Sequence, residues 1–392
     1  MARFPVSLVE TSSQGIVVFV SENNFSVADS AGKIIASTSE SQANSNDVTK
    51  ISGPSDVSSN PSDTTIRAAS FSRDGRLFAI CTADKGIMIY DTKTWAVQRQ
   101  LKTEKRTNAI CFDPQGTFLV TADKFGDSYR IPTMSEGPTE MLLGHVSILC
   151  SLGFSYGSPT YVLSCDRDEK LRVSRYPNAY NIEAFGLGHR EFVTSVATAE
   201  FAPTVAVTGS GDGTVRLWRI ATGELLQTIE LAEYLRVYYE NGKALCGENT
   251  FHDRSAATER YGVLRVRAVE ALGAFVVAVE RIPALLVLPM AEDSGFGRPM
   301  VVDLEAVPTD VAALGDRVIV SFVPRADQGA LVTAIKRDGE AFGVDGELAR
   351  ALTENVVTRE AESVPEVQSI FVWGNKMFLE RPQEENEDED AE

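Results

Sequence analysis

The stretch Gly209-Ser210-Gly211-Asp212-Gly213-Thr214-Val215-Arg216-Leu217-Trp218 decides how this chain folds. Its Gly211-Asp212-Gly213 segment has the residue types of a tight turn. The runs on either side, Thr204 to Thr208 and Thr214 to Trp218, are rich in β-branched and apolar residues and are typical of strands. The stretch therefore predicts a β-hairpin with a Gly-rich turn.

An earlier copy of this pattern lies upstream and keeps register with it. The first copy contains Gly144-His145 and the second contains Gly188-His189, and the two histidines are 44 residues apart. Asp168 and Asp212 are also 44 residues apart. A period of this length is typical of four-stranded propeller blades, and the pair is identified as WD-type repeats.

The residue types of the second copy predict a buried chain of hydrogen bonds. The turn Asp accepts from the His, the His interacts with a hydroxyl, and the hydroxyl accepts from the indole N–H, so no buried polar member is left unpaired. The residues assigned to this structural network in the two copies are His145, Asp168, His189, Ser195, Asp212 and Trp218. We interpret both histidines as scaffold rather than catalysts or metal ligands, because no Cys or carboxylate cluster near them has ligand spacing.

Further repeats extend the pattern in both directions. Two precede the pair, around Phe71 to Asp91 and Phe112 to Tyr129, and a divergent first blade is expected before them. Beyond Trp218 the signatures fade, but strand-like runs continue at Val263–Val269, Phe275–Glu280, Ala284–Pro289, Val318–Phe322 and Ala330–Ile335. The sequence predicts an all-β, seven-bladed WD-repeat β-propeller, two of whose blades rest on spacing alone.

The ends of the chain and one long loop complete the predicted organisation. The N-terminal segment Phe4 to Val9 is expected to be a strand that closes the last blade, because closure removes exposed sheet edges. The single propeller domain is expected to span residues 1–382, with inner strands of the last blade at 369–373 and 376–379. Within it, the polar, Ser-rich segment 37–65 is expected to be a disordered loop. Residues 347–363 read as a surface helix or an insertion loop, and the acidic tail 383–392 as disordered.

Composition narrows the classes of function. The chain has 392 residues and a formal charge of −18; the tail contributes seven acidic residues, which leaves −11 for the remainder. This acidity argues against a surface built to coat nucleic acid, so any RNA contact would be confined to a patch. We expect no membrane span and no signal peptide, because apolar runs are short and the first ten residues lack the required pattern. The five cysteines suggest reduced, buried thiols of an intracellular protein.

No catalytic motif is present in the sequence, which favours a binding platform over an enzyme. The unusual feature is the density of charge at residues 166–175 of the first copy, where an ordinary blade has Ser, Gly and Thr. Solvated turn charges are one interpretation. A partner of complementary charge explains such density better, because guanidinium groups orient and discriminate partners at interfaces.

Several segments of the chain match a known family. They are Leu142–Ser147, Ala122–Tyr129, Asp166–Ser174 and Gly188–Val193. Together they resemble the WD-repeat, non-catalytic subunit of the tRNA guanine-N7 methyltransferase, and they are more specific than a generic Gly-His…Trp blade.

The resemblance implies a heterodimer in which this propeller binds and stabilises a separate catalytic subunit. That partner would carry S-adenosylmethionine and methylate a guanine in the variable loop of tRNA, while this chain binds no cofactor and meets tRNA through the complex. By motif match, Arg172 would face the catalytic subunit; the further partner-binding candidates are Arg167, Glu169, Lys170 and Lys124. A nuclear location also follows from the resemblance, with the cytoplasm as the alternative.

Two other functions remain open at the level of sequence. A general WD-repeat adaptor for proteins, with no RNA role, fits the repeat geometry equally well. A propeller that binds RNA by itself is disfavoured by the −11 charge of the chain outside its tail.

Overall fold

The computed structural model describes residues 2–3, 6–39, 48–54, 64–134, 136–244, 259–291, 295–323, 330–339, 341–356 and 360–361. Within these residues, seven antiparallel sheets of four consecutive strands follow one another along the chain. The first strand of each sheet packs against the first strands of the neighbouring sheets, and the first sheet packs against the seventh. The predicted seven-bladed β-propeller is confirmed.

The strand bounds of the first four blades are as follows. Blade one comprises β2 (Leu8–Thr11), β3 (Val17–Ser21), β4 (Asn24–Ala28) and β5 (Ile34–Ser37), with a short parallel addition, β6 (Thr49–Lys50). Blade two comprises β7 (Ile66–Phe71), β8 (Leu77–Thr82), β9 (Gly86–Asp91) and β10 (Val97–Lys102). Blade three comprises β11 (Thr107–Phe112), β12 (Phe118–Asp123), β13 (Asp127–Pro132) and β14 (Glu140–Gly144). Blade four comprises β15 (Leu149–Phe154), β16 (Tyr161–Asp166), β17 (Lys170–Arg175) and β18 (Ile182–Leu187).

The remaining blades include the strands that spacing alone predicted. Blade five comprises β19 (Val193–Ala197), β20 (Val205–Ser210), β21 (Thr214–Arg219) and β22 (Leu225–Glu230), followed by helix α1 (Ala232–Glu240). Blade six comprises β23 (Val263–Val269), β24 (Ala274–Val279), β25 (Ala284–Pro289) and β26 (Met300–Asp303), with a 3₁₀ turn at Glu270–Leu272. Blade seven comprises β27 (Pro308–Leu314), β28 (Arg317–Phe322), β29 (Val332–Asp338) and β30 (Ala341–Val344), followed by helix α2 (Gly346–Asn355). A two-stranded ribbon joins β1 (Ala2–Arg3) to β31 (Glu360–Ala361).

Burial along the strands follows from this layering. The second strands β8, β20 and β24 are buried at every position, because neighbouring blades cover both of their faces. The outer strand β10 instead alternates between half-buried and exposed residues. In blade two, burial is therefore continuous along the second strand and alternates along the outer strand.

Polar bonds fasten neighbouring blades near the central axis. At three seams, a side chain on the first strand of one blade accepts a backbone N–H from the first strand of the next. The pairs are Ser151 Oγ with Val196 N (3.2 Å), Ser195 Oγ with Val266 N (3.1 Å) and Asp310 Oδ2 with Val9 N (3.1 Å). These bonds satisfy backbone donors that the sheets themselves leave unpaired.

The ring does not close in the way that the sequence suggested. Strand β2, which contains the end of the segment predicted to complete the last blade, is the innermost strand of blade one and pairs with β3. Among the described strands, β27 to β30 make up blade seven, and the N-terminal residues Ala2–Arg3 pair with Glu360–Ala361 instead. The prediction of closure by an N-terminal strand of blade seven is therefore wrong. Four strands after Val307 were available to complete that sheet, so no N-terminal strand was needed.

Helix α2 covers the seam between blades one and seven. Its Leu348 and Leu352 are buried in one cluster with Ile34 of blade one and Val332 of blade seven. Gly32 lies against the helix so closely that an added Cβ would sit 3.0 Å from the Cβ of Ala351. The helical alternative predicted for residues 347–363 is therefore confirmed up to Asn355, whereas Glu360–Ala361 form a strand. The helix closes the seam by packing.

Polar contacts anchor the start of α2. Asp345 caps the helix, since its carboxylate accepts from the backbone N–H of Leu348 at 3.4 Å. Arg317 donates to the same carboxylate at 2.8 Å. The hydrogen bond from Arg317 is the main reason that the pKa of Asp345 lies below its usual value.

The described part of the Ser-rich segment is packed rather than loose. Ile51 is 1% exposed and lies in the cluster between blades one and two, and Tyr90 donates to the carbonyl of Ser52 at 3.1 Å. The sequence predicted a disordered loop over 37–65, and it did not predict these buried contacts of Ile51 and Ser52. Residues 40–47 and 55–63, the predicted strands at 369–379 and the acidic tail lie outside the described residues.

Replacing Leu352 with Ala tests the role of α2. The side chain is fully buried, so we expect a loss of about 2–5 kcal/mol in the free energy of unfolding. Urea denaturation followed by tryptophan fluorescence measures it. The matched control is Arg350→Ala, at an exposed position on the same helix; equal effects of the two changes would contradict a closing role for the buried face.

Candidate partner-binding site

The hydrogen-bonded network of blade five is complete, but its hydroxyl is not the predicted one. His189 Nδ1 lies 3.0 Å from Asp212 Oδ2, and its Nε2 lies 2.8 Å from Thr208 Oγ1. Trp218 Nε1 donates to the same Thr208 hydroxyl at 2.7 Å. The assignment of Ser195 to this network is wrong. Ser195 lies one strand further in, on β19, whereas Thr208 is on β20, which pairs directly with the strand of Trp218.

Blade four uses a different aspartate from the one that register predicted. His145 Nδ1 lies 2.8 Å from Asp166 Oδ2 and its Nε2 lies 2.8 Å from Ser164 Oγ. Asp168, which aligns with Asp212, is exposed and accepts instead from the hydroxyl of Ser147 at 2.8 Å. The assignment of Asp168 is therefore corrected to Asp166. Two aspartates occur in this turn, and the one at the buried end of β16 is the one that reaches the histidine.

The buried environment of Asp212 affects its ionisation. Burial alone would raise its pKa, but the hydrogen bond and positive potential of His189 act in the other direction. The backbone N–H of Arg190 and the hydroxyl of Thr214 also favour the ionised form. The result is that the pKa of Asp212 lies well below its usual range. The ionised carboxylate is thus part of what holds the Gly-His loop to the turn.

Arg172 lies inside blade four rather than at its exposed rim. The residue is 7% exposed, and burial lowers the pKa of its guanidinium. It donates to Ser174 Oγ at 2.9 Å, to the carbonyl of Gly144 at 2.8 Å and to the carbonyl of Ala179 at 2.9 Å. Arg172 therefore ties the Gly-His loop and the loop before β18 to the third strand of the blade. Its expected contact with a partner stays a prediction.

The other charged candidates lie at turns between second and third strands. In blade four, Asp168 and Glu169 are exposed while Arg167 and Lys170 are half-buried, and Lys170 Nζ donates to the carbonyl of Asp168 at 3.2 Å. Since that acceptor is a neutral carbonyl, the ammonium keeps its attraction for a carboxylate of another molecule. We call residues 167–170 the charged turn.

Lys124 occupies the equivalent turn of blade three. It is exposed beside Phe125, a ring that is 56% exposed, with Lys124 Nζ 4.9 Å from the ring centroid and Lys105 Nζ 4.8 Å from it. Asp123 takes over the turn role in this blade, because its carboxylate accepts from the backbone N–H groups of Phe125 and Asp127. The structure thus places Lys124 and the charged turn at corresponding positions of adjacent blades.

An apolar surface next to the charged turn was missed from the sequence. On the outer strand β18, Ile182, Phe185 and Leu187 are 45%, 41% and 62% exposed. We call these three residues the blade-four strip. The amino-acid sequence of this strand does not distinguish exposed apolar residues from core residues. These side chains are exposed only because β18 lies at the edge of the sheet.

Neither a metal centre nor a membrane-crossing helix was found in the part of the chain that the structure describes. No group of three or more His, Cys, Asp or Glu side chains among those residues is arranged to hold a metal ion. The two described helices are also too short and too polar to span a bilayer.

Seven blades with buried His-Asp pairs in two of them define a WD-repeat propeller, a rigid platform on which loops and edges are presented. The family model described as the tRNA methyltransferase TRM82 WD40 domain matches residues 21–140 and 136–341. The chain belongs to this family.

Individual relatives agree with the family match. The chain is 35% identical over 197 residues to the mouse protein named tRNA (guanine-N(7)-)-methyltransferase non-catalytic subunit WDR4, covering 50% of this chain and 46% of that protein. It is 29% identical over 246 residues to the non-catalytic subunit TRM82 of Kluyveromyces lactis, covering 59% and 55%. The chain thus spans about half the length of the curated relatives that it matches.

A solved structure shares the fold. A chain of the "Crystal Structure of Mitotic Checkpoint Complex" superimposes with a TM-score of 0.60 at 14% sequence identity, covering 82% of this chain and 85% of that chain. At this identity the similarity supports the architecture and carries no information about function.

Thr208→Val tests the corrected network. Valine keeps the shape but removes the hydroxyl that His189 and Trp218 share, so we expect a loss of about 2–4 kcal/mol in the free energy of unfolding. Thr208→Ser keeps the hydroxyl and should cost only about 1 kcal/mol, the value of one buried methyl group. Urea denaturation of both variants measures the difference. Similar losses of unfolding free energy in Thr208→Val and Thr208→Ser would mean that the hydroxyl does not stabilise the network.

Acid sensitivity provides a second test of the same site. An unfolded Asp titrates near pH 3.9, about the model-peptide value, and the folded pKa of Asp212 is lower. Asp212 therefore contributes stability above that pH, and the contribution is lost as the pH falls through the folded pKa. Between about pH 4 and pH 2, the unfolding free energy of Asp212→Asn should fall less steeply than that of the parent.

Proposed function

We propose that this chain is the non-catalytic scaffold subunit of a tRNA N7-methylguanosine methyltransferase. It binds the catalytic subunit and holds it in the conformation that methylates a variable-loop guanine of tRNA. The family match over residues 21–341 is the observation that carries the proposal. The catalytic subunit supplies the S-adenosylmethionine site, and tRNA is met through the complex. The complex works in the nucleus.

The geometry of the site supports a binding role. The charged turn lies on a blade whose buried polar contacts fix its backbone, since His145 bonds Asp166 and Ser164 on one side and Arg172 bonds two loop carbonyls on the other. A turn held in this way loses little conformational entropy when it binds, so more of the contact energy appears as affinity. Stabilising the active conformation of the partner then follows from differential binding to its two states.

Arg172 supports the proposed interface from within. Because its guanidinium already has three partners, we assign it the positioning of the rim, and we assign direct contact to Lys170 and Arg167. Arg172→Glu would bury an uncompensated carboxylate and disturb the blade itself. Loss of binding in that variant would therefore not distinguish loss of a direct contact with the partner from misfolding of blade four. Lys170 is the better residue to test.

Co-expression with the cell's methyltransferase subunit tests the proposal. The purified complex and each chain alone are assayed for guanine-N7 methylation of tRNA. Activity that requires this chain, which is inactive by itself, is the expected result. If the two chains form no complex and the catalytic chain methylates equally well alone, the proposal fails, and a general WD-repeat adaptor with no RNA role takes its place.

Lys170→Glu tests the charged turn within that complex. Reversing the charge replaces attraction to a partner carboxylate with repulsion, so we expect about tenfold weaker binding of the catalytic subunit. The melting temperature of the variant should stay close to that of the parent. The matched control is Lys93→Glu, the same charge change at an exposed turn after β9. Binding equal to the control would remove Lys170 from the interface.

A further inference from the structure

The outer strand of blade four has an unusual surface for the edge of a sheet. Among the residues that the structure describes, β18 exposes three large apolar side chains, whereas β10 exposes none and β14, β22, β26 and β30 expose one each, which are Met141, Leu225, Val301 and Val344. Strand β18 has a single charged residue, Glu183, and it is neutralised by Arg175. Natural proteins protect exposed apolar edge strands from pairing with other chains, commonly with charges or a covering element.

The three apolar side chains of the blade-four strip point to one face of the sheet. Ile182, Phe185 and Leu187 are the direct cross-strand partners of Ser174, Arg172 and Lys170 on β17. Gly186 faces the other way, since a Cβ there would lie 3.0 Å from the ring of Trp218 in blade five. The three side chains of the strip therefore lie on the face of the sheet directed away from blade five.

The strip is contiguous with the charged turn. Leu187 pairs with Lys170, which is the last residue of that turn. An apolar centre bordered by charge is the usual anatomy of a protein–protein interface. The strip itself has no cation for a phosphate backbone, so its chemistry favours a polypeptide over RNA.

We propose that the blade-four strip is the apolar centre of the docking surface for the catalytic subunit. This inference rests on the proposed function and extends it from the charged turn to the outer strand. The part of the partner that docks here presents apolar side chains to Ile182, Phe185 and Leu187 and a carboxylate to Lys170. Arg172 contributes from beneath, because it pairs with Phe185 across the strands and bonds the carbonyl of Ala179 just before β18.

Charge introduced into the strip tests the inference, and the chain offers controls of matched exposure. Phe185→Glu is compared with Leu225→Glu, since both parent residues are 41% exposed and lie on outer strands of adjacent blades. Leu187→Glu is compared with Val344→Glu, with parent exposures of 62% and 63%. Binding of each variant to the purified catalytic subunit is measured by biolayer interferometry, and thermal unfolding confirms the fold.

We expect Phe185→Glu and Leu187→Glu to weaken binding about tenfold or more, as at the centre of an interface, with both controls within about twofold of the parent. Phe185→Ala and Leu187→Ala, which add no charge, should weaken binding in the same direction. Equal binding by strip and control variants, with the parent complex intact, would overturn the inference and leave the proposed function standing. Failure of the parent to bind the catalytic subunit would overturn the proposed function itself.

Light scattering of the isolated chain tests whether a second copy of this chain, rather than the catalytic subunit, binds the strip. Two copies could pair their outer strands about a two-fold axis. A monomeric parent is the expected result. A dimer that Leu187→Glu dissociates and Val344→Glu does not would assign the strip to a second copy of this chain and overturn the inference.

Discussion

Every blade of this propeller needs a neighbour on both faces, so the ring is stable only if blade one packs against blade seven. The second strands β8, β16, β20 and β24 are buried at every position and have no face suited to water. Closure therefore depends on contacts between residues some 300 positions apart. Asp310 accepts the backbone N–H of Val9, and Thr309 donates to the carbonyl of Val6 at 2.7 Å. Helix α2 seals the same seam from outside with Leu348 and Leu352.

Charged side chains reinforce this seam close to the axis. Arg267 of blade six donates to Glu10 of blade one, and Arg265 donates to Asp310 of blade seven at 2.9 Å. Charges this close to a low-dielectric interior are costly unless each one has a partner. Here the partners belong to different blades, so satisfying the charges and closing the ring are the same event. Blades one, six and seven are thereby held as a unit, while the proposed partner surface lies on blades three and four.

The repeat spacing predicted some members of the two hydrogen-bonded networks correctly and others wrongly. Equal spacing correctly placed His145 and His189 in equivalent loops, and it correctly paired His189 with Asp212. It failed for Asp168, because a turn with two aspartates lets the strand-end residue Asp166 take the buried position. It also failed for Ser195, since spacing along the chain does not tell which of two hydroxyl-bearing strands lies beside the tryptophan. Thr208 was identifiable only once β20 was seen to pair with β21.

The sequence by itself determined the architecture of this protein. The 44-residue period, the turn chemistry and the marker segments are local properties of the chain, and they specified a WD-repeat propeller and its family without coordinates. Tertiary structure alone decided how the ring closes, that Arg172 is a buried support and that Ile182, Phe185 and Leu187 form an exposed strip. The physical reason is common to all three. Burial and hydrogen bonding depend on which strand lies at the axis and which lies at the edge, and that order is fixed by packing between blades.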